Sequence, residues 1–380
     1  MTPQDYQRRV LVCVTGLSPQ VVTETVYALA HQAEPWIPTE VHVLTTVIGA
    51  QRARLLLLAP DQSQFQKLVQ DHSIEGIRFD DAHVHVLEDS QGRPLEDIRT
   101  QADNMAMADA ILHRVARFAM DDDCSIHVSL AGGRKSMGFF AGYALSLCGR
   151  PQDRLSHVLV SPDLESHPQF FFPPRVPRVL ISRGQQPVST ADAIIELADI
   201  PFVRLRDRAP RALIEGGRFI EVVAAAQRLS APPQLKLIAS QRAIECGGET
   251  IVLPPMRFAV YAWHALRTLE RAEPAVVLSD FDVIRSSLRR ELHEFGNRLF
   301  DSEFSSECEE WNKRRWDRDS EDEKHSQWLS EQRNRINGSI AEVLGDEGRR
   351  IYGIQTIRLT GRRSAHGLDL PAGCIEFDWT

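Results

Sequence analysis

The sequence has no apolar run approaching the roughly 20 residues of helix that would cross a bilayer, and no CxxC or CxxxC pair among its six cysteines. The first absence points away from a helical membrane protein. The second leaves neither a zinc ribbon nor a disulfide framework, so the thiols read as reduced, in a cytoplasmic protein. GxGxxG is missing, which removes the fingerprint of a dinucleotide cofactor, and no Walker A loop occurs. No obvious cluster of metal ligands is present, so neither a metal nor a cofactor is expected. The N-terminal residues lack a signal-peptide layout, because polar residues lead directly into a strand-like run. No internal repeat of fixed period is visible. The net charge is −8, with 43% hydrophobic and 25% charged residues, an ordinary balance for a soluble globular chain. That acidity argues against a protein coated in nucleic acid but permits a local basic pocket.

What is present in the first half is alternation. RVLVCVT, VHVLTTVIG, AHVHVLE, SIHVSLA and SHVLVS read as strands, and the segments between them carry helical periodicity. Strand, helix, strand, helix predicts an α/β domain with a mainly parallel, doubly wound sheet. Proline-punctuated, irregular sequence near residue 205 marks a boundary, giving domains at 1–205 and 206–380. The second domain reads as α+β. FIEVVAAAQRL is a helix or an edge strand, and LKLIASQRAIECGGETIVLP is two short strands around a Gly-Gly turn. A helix, PPMRFAVYAWHALRTLERA, begins with Pro in its first turn, where Pro is tolerated. A polar helical insertion spans about 275–332, followed by a short helix, NRINGSIAEVLG, and a hairpin with a Gly-Arg-Arg tip.

In a parallel sheet the strand-to-helix joints lie at the carboxyl edge, where ligands bind. Two joints are chemically unusual. In TGLSPQ, Gly16 permits close backbone approach, Ser18 is a good N-cap and Pro19 a good first-turn residue; Thr15, Ser18 and Thr23 offer hydroxyls. In SLAGGRKSM, Gly132 and Gly133 make a tight turn, and Arg134, Lys135 and Ser136 start a helix whose free N–H groups and dipole already attract anions. A phosphate is the natural guest for such cations. The plainer readings are a capped helix start and a turn with two solvated cations. Thr45 and Thr46 at a third strand end read as β-branched residues closing the strand. Glu165 and His167, in SPDLESHPQFFFPP, read as part of an aromatic segment packed over the sheet edge.

VTGLSPQVVTETVYAL, DIRTQADNMAMADAI, SLAGGRKSM and HVLVSPDLESHPQFFFPP, in this order over roughly residues 8–180, resemble the CRISPR-associated CARF domains of the ring-nuclease type. The resemblance implies a Rossmann-like domain that forms a homodimer and binds a cyclic oligoadenylate, cyclic tetraadenylate above all, across its two-fold axis. By position Gly16, Leu17 and Ser18 match one ligand-binding motif of the family and Gly132, Gly133, Arg134, Lys135 and Ser136 the other; Thr15 and Thr45, at the same carboxyl edge, join them as candidate ligand-binding residues. Each ribose of the ring carries a 2′-hydroxyl beside its own phosphodiester, so orientation alone supplies much of the catalysis. Lys135 would stabilise charge developing on the phosphoryl oxygens, and Ser18 would position the ribose or phosphate. Metal-independent cleavage would then leave linear adenylates with 2′,3′-cyclic phosphate ends and switch off type III CRISPR antiviral signalling.

The second half resembles a winged-helix domain with a helical insertion. There RNRINGSIAEVLG would be a recognition helix carrying Arg333, Arg335 and Asn337, and Arg358, Arg362, Arg363 and His366 would lie in or near the wing. DNA is then a partner, and the alternative function is a regulator that senses the ring without cutting it. A winged helix used only for dimerisation is the other reading of the same pattern. A third function is a ring-activated HEPN-type ribonuclease, marked by Arg followed a few residues later by His. Arg257 with His264, and Arg318 with His325, have that spacing.

Overall fold

The fold is that of a computed structural model, which describes residues 2–182, 184–269, 276–277, 321–358 and 364–378. The chain divides into two compact units, Met1–Arg206 with Ala212–Val222, and Asp207–Arg211 with Val223–Thr380.

The first unit is built on a six-stranded sheet, mostly parallel. Its strands are β1 (Arg8–Val14), β2 (Glu40–Thr45), β3 (Val84–Val86), β4 (Cys124–Ser129), β5 (Arg154–Val160) and, after a two-stranded ribbon of β6 (Val179–Ile181) and β7 (Pro187–Ser189), β8 (Ile195–Asp199). They lie in the order β3-β2-β1-β4-β5-β8, all parallel except β8, which runs antiparallel to β5. All of β2 and β4, and the last five residues of β1, are buried. That accounts for their sequences, since a parallel strand covered on both faces shows continuous burial rather than alternation. Leu11 and Cys13 pack with Val22, Val26 and Leu29 of α1 (Gln20–Ala30) and Phe65 and Leu68 of α3 (Gln64–His72). Between these helices lies α2 (Val47–Ala53). The remaining helices, α4 (Gln101–Ala119) and α5 (Lys135–Cys148), pack along each other. A capping box starts α4: Thr100 Oγ1 accepts from the Asp103 N–H at 3.1 Å, and Asp103 accepts from the Thr100 N–H at 2.9 Å. The aromatic run after β5 is packing, as its sequence suggests; Phe170, Phe171 and Phe172 are buried.

The ion pair of Arg150 with Asp153 is internal. Asp153, before β5, accepts from Arg150 Nε at 3.0 Å and from the Ile126 N–H at 3.0 Å, tying the end of α5 to β4. Its carboxylate is completely buried and Arg150 nearly so.

In the second unit, β9 (Leu235–Ile238), β10 (Ala243–Cys246) and β11 (Glu249–Val252) form an antiparallel meander, and β15 (Ile375–Asp378) pairs parallel with β9. The sequence suggested two strands here; there are three, because Ala239–Arg242 turn the chain once more before the Gly247-Gly248 turn. FIEVVAAAQRL settles as a helix, α7 (Phe219–Arg228), following the short α6 (Arg211–Gly216). Next is α8 (Pro255–Leu269). The expected short helix is instead the end of a long one, Glu321–Tyr352, kinked where Gly345 takes φ 73°. Its Ile336, Ile340 and Leu344, at successive turns, pack with Phe258 and Tyr261 of α8 and with Leu235, Leu237 and Ile244 of the meander. β13 (Ile354–Arg358) and β14 (Ser364–Leu368) pair antiparallel, and β12 (Val276–Val277) adds to β14. Most of the polar insertion, together with Arg362 and Arg363, which the sequence placed at a hairpin tip, lies outside the described residues.

Removing one member of a buried ion pair strands the other. Asp153→Ala is therefore expected to destabilise the chain by about 3–5 kcal/mol, read as a lowered urea midpoint.

Candidate functional site

The joints after β1 and β4 are neighbours because their strands are neighbours. They also touch. A Cβ placed on Gly16 would lie 3.3 Å from the Gly133 Cα, and one on Gly132 would meet the Val14 carbonyl oxygen at 2.7 Å. Only glycine allows this approach of two backbones. Gly133 also takes φ 78°, the left-handed conformation that lets the chain leave β4 and enter α5 within a few residues.

Around this contact the threonines are structural. Thr15 is wholly buried, and its Oγ1 donates to the Ser18 carbonyl at 3.1 Å. Thr45, also wholly buried, donates to the Thr15 carbonyl at 2.6 Å. It supports the first joint from beneath rather than presenting a hydroxyl at the surface. Thr46 caps α2 by accepting from the Gly49 N–H at 3.4 Å. Thr23 bonds to the Gln20 carbonyl at 2.8 Å.

The expected N-cap at Ser18 does not form. Pro19 occupies the position before α1, and no side chain caps the helix. Ser18 Oγ has no hydrogen-bond partner among the described residues. Leu17 beside it is 65% exposed. At the second joint Arg134 precedes α5, again with no side-chain cap and no acidic residue in the first turn. Two uncapped helix starts therefore meet at one edge of the sheet, each with free N–H groups.

The two cations differ. Arg134 grips Asp97 with both ends of its fork, Nε–Oδ1 at 2.9 Å and NH2–Oδ2 at 2.6 Å. Hydrogen bonds from Arg134, then from the Ile98 N–H and Arg99, hold the Asp97 carboxyl well below the usual range. Lys135 is exposed and has no ion pair among the described residues. Asp97 was not read as a site residue from sequence; it precedes the capping box of α4, and no local pattern links it to Arg134, 37 residues on.

Also missed were Gln20 and Glu24, one turn apart on α1 and buried. Gln20 Oε1 has no hydrogen-bond partner among the described residues. Burial, with repulsion from Glu165, pushes Glu24 up to about 8. His167 serves the loop, its Nε2 meeting the Ile181 carbonyl at 3.0 Å and its Nδ1 accepting from the Gln169 N–H at 3.2 Å.

Glu40, His42 and His83 have the proximity of metal ligands. The Glu40 carboxylate is already filled by Arg8, through Nε at 2.9 Å and NH2 at 3.1 Å, by Arg78, and by His42 at 3.0 Å. Two guanidinium groups around one carboxylate suit a closed ion-pair network better than a divalent cation.

In the second unit, two of the residues expected at DNA are engaged internally. Asn337 Nδ2 donates to the Ile354 carbonyl at 3.0 Å, and its Oδ1 accepts from the Ile354 N–H at 2.8 Å, extending the pairing of β13. Arg333 reaches His366 at 2.8 Å, and His366 is buried. Arg335 is exposed. His264 is a core residue, as its apolar helix suggested, and burial lowers it to about 3. Arg318 and the side chain of His325 lie outside the described residues.

Glu24 sets a pH dependence. Between its ordinary value of 4.5 and about 8 the folded form holds a proton that the unfolded chain has released, so stability falls as pH rises through that window. Glu24→Gln is expected to flatten the fall, and above about pH 8 to be more stable than the parent by on the order of a few kcal/mol. Thermal melts across the pH range read this.

A family model described as CRISPR-associated protein NE0113 matches residues 18–231, more than half of the chain. No curated protein matches the chain.

Proposed function

The chain belongs to the CRISPR-associated protein NE0113 family, and from that premise we propose that its first unit is a Rossmann-like ring nuclease. It binds a cyclic oligoadenylate, cyclic tetraadenylate in particular, and opens it. The observation that carries this reading is the contact between the two glycine joints, which brings to one sheet edge a lysine and a serine hydroxyl that have no partner among the described residues. Arg134 is already neutralised by Asp97, so Lys135 is the cation left for a phosphate.

The reaction requires little covalent participation by the protein. The ribose 2′-oxygen forms a bond to phosphorus while the bond to the 5′-oxygen breaks. The 2′-hydroxyl proton is lost, and the 5′-oxygen takes one up. Holding the 2′-oxygen in line with the scissile bond supplies orientation. Lys135 and the N–H groups at the start of α5 offset the charge that grows on the phosphoryl oxygens. Ser18 positions the ribose or phosphate. Products are linear adenylates with 2′,3′-cyclic phosphate ends, and the consequence is loss of the CRISPR second messenger.

A ring with two-fold symmetry suits two copies of the site. Leu17, Ile48 at the start of α2 and Phe139 in the first turns of α5 are all exposed apolar side chains near the carboxyl edge, and they support a homodimer formed around it.

The second reading is a ring-sensing DNA-binding regulator. It is favoured by the order of the second unit, strands then α8, and later a helix then a hairpin, which is compatible with a winged helix. The internal bonds of Asn337 and Arg333 leave Arg335 as the described recognition-helix cation free for DNA.

Incubating the full chain with cyclic tetraadenylate in EDTA, with mass spectrometry of the products, separates the readings. Linear adenylates with cyclic phosphate ends are expected, and Lys135→Ala should slow their formation by roughly 10²–10³-fold. A ring that stays intact while bound would overturn the nuclease and leave the regulator.

A further inference from the structure

β3 is an edge of the six-stranded sheet. Between it and α4 runs a groove of roughly 760 Å³ that shares no residue with the two glycine joints. Its volume is that of a small-molecule site. Asp109, His113, Arg114 and Arg117 line one wall, at spacings that put them on one side of α4. His85 of β3 and Arg218 also line it.

Arginines and carboxylates both line this groove, Arg114, Arg117 and Arg218 with Glu88, Asp89 and Asp109, but they are not matched in pairs. Arg114 is half-buried, and burial together with the neighbouring Arg117 pushes its guanidinium down from its ordinary value. Neither arginine has a hydrogen bond or ion pair among the described residues. The carboxylates nearby are engaged or too far away. Asp89 takes Arg93 at 2.8 Å, and Asp109 accepts from the Phe219 N–H at 2.7 Å. Glu88 acts on Arg114 without reaching ion-pair distance. Two adjacent guanidinium groups, one drawn partly out of water with no described carboxylate at ion-pair distance, are unfavourable unless an anion joins them.

Beside these charges the groove holds a flat ring, that of His85. His85 stacks on His42 with ring centroids 5.1 Å apart and planes within 8°. The two are joined by a nitrogen–nitrogen hydrogen bond of 2.8 Å. Burial lowers His85 to about 3 and His42 to about 4, so both rings are neutral at physiological pH. Guanidinium forks match phosphate oxygens, and a neutral aromatic ring suits a base or sugar.

We propose that the groove between β3 and α4 binds a nucleoside diphosphate, with its phosphates on Arg114 and Arg117 and its nucleoside toward His85. The site is separate from the ring-cleaving edge and stands whether or not the ring is cleaved.

Calorimetric titration of the full chain with ADP tests this. Binding is expected, weakened at least tenfold in the Arg114→Gln/Arg117→Gln variant and unchanged in Lys135→Ala. The double substitution removes like-charge repulsion, so without ligand the variant should melt no lower than the parent. Arg117→Glu, at an exposed position, gives a second measure and should weaken binding as well. Absence of binding to the parent chain, full binding by both groove variants, or loss of binding in Lys135→Ala would each overturn the proposal. Pyrophosphate binding as tightly as ADP would overturn the assignment to a nucleotide.

Discussion

The candidate site depends on one close approach, that of the Gly16 and Gly132-Gly133 turns. Two strand-to-helix joints from adjacent parallel strands ordinarily stand apart by a strand spacing, with side chains between them. Here the side chains are absent and the backbones meet. Everything else at this edge supports the contact: Thr45 holds the Thr15 carbonyl, and Thr15 in turn holds the carbonyl of Ser18. The hydroxyls that looked available for a ligand are largely spent on building the platform. What remains unpaired among the described residues is Ser18 Oγ, Lys135 Nζ and the first N–H groups of two uncapped helices.

Charge is placed with the same economy. Arg134 and Lys135 are adjacent in sequence, yet Arg134 is clamped by Asp97 while Lys135 is open. An arginine held by a carboxylate beside an exposed lysine on a flexible stem gives one fixed cation and one adaptable one. The opposite arrangement holds at the start of β2, where Arg8, Arg78 and His42 surround Glu40 and leave it nothing to offer. The arginines of α4 fall between these cases: both lack an ion pair among the described residues, and Arg114 is partly withdrawn from water. In each place the balance of partners, rather than the residue type, decides what a charged group can do.

The second unit shows how a motif read in one dimension is spent differently in three. Arg333 and Asn337 stand in a basic, polar stretch that suits a surface helix. The helix instead buries Ile336, Ile340 and Leu344, and its flanking polar groups stitch it to β13 and β14. Asn337 substitutes for a strand neighbour of Ile354, a use that no spacing rule announces.

The sequence by itself determined the alternation of strands and helices, the parallel sheet and the two unusual joints. These are properties of local periodicity and of glycine, which act within a few residues. Phe170 to Phe172 and His264 were legible as packing for the same reason, since an apolar neighbourhood along the chain remains one in space. Only the tertiary structure decided which polar groups are free. That Thr45 is buried, that Asp97 claims Arg134, that burial and Glu165 raise Glu24 and that Arg114 has no ion pair among the described residues are all relations between segments far apart in the chain. Pairing and burial depend on distances across elements, and a one-dimensional pattern carries no information about those.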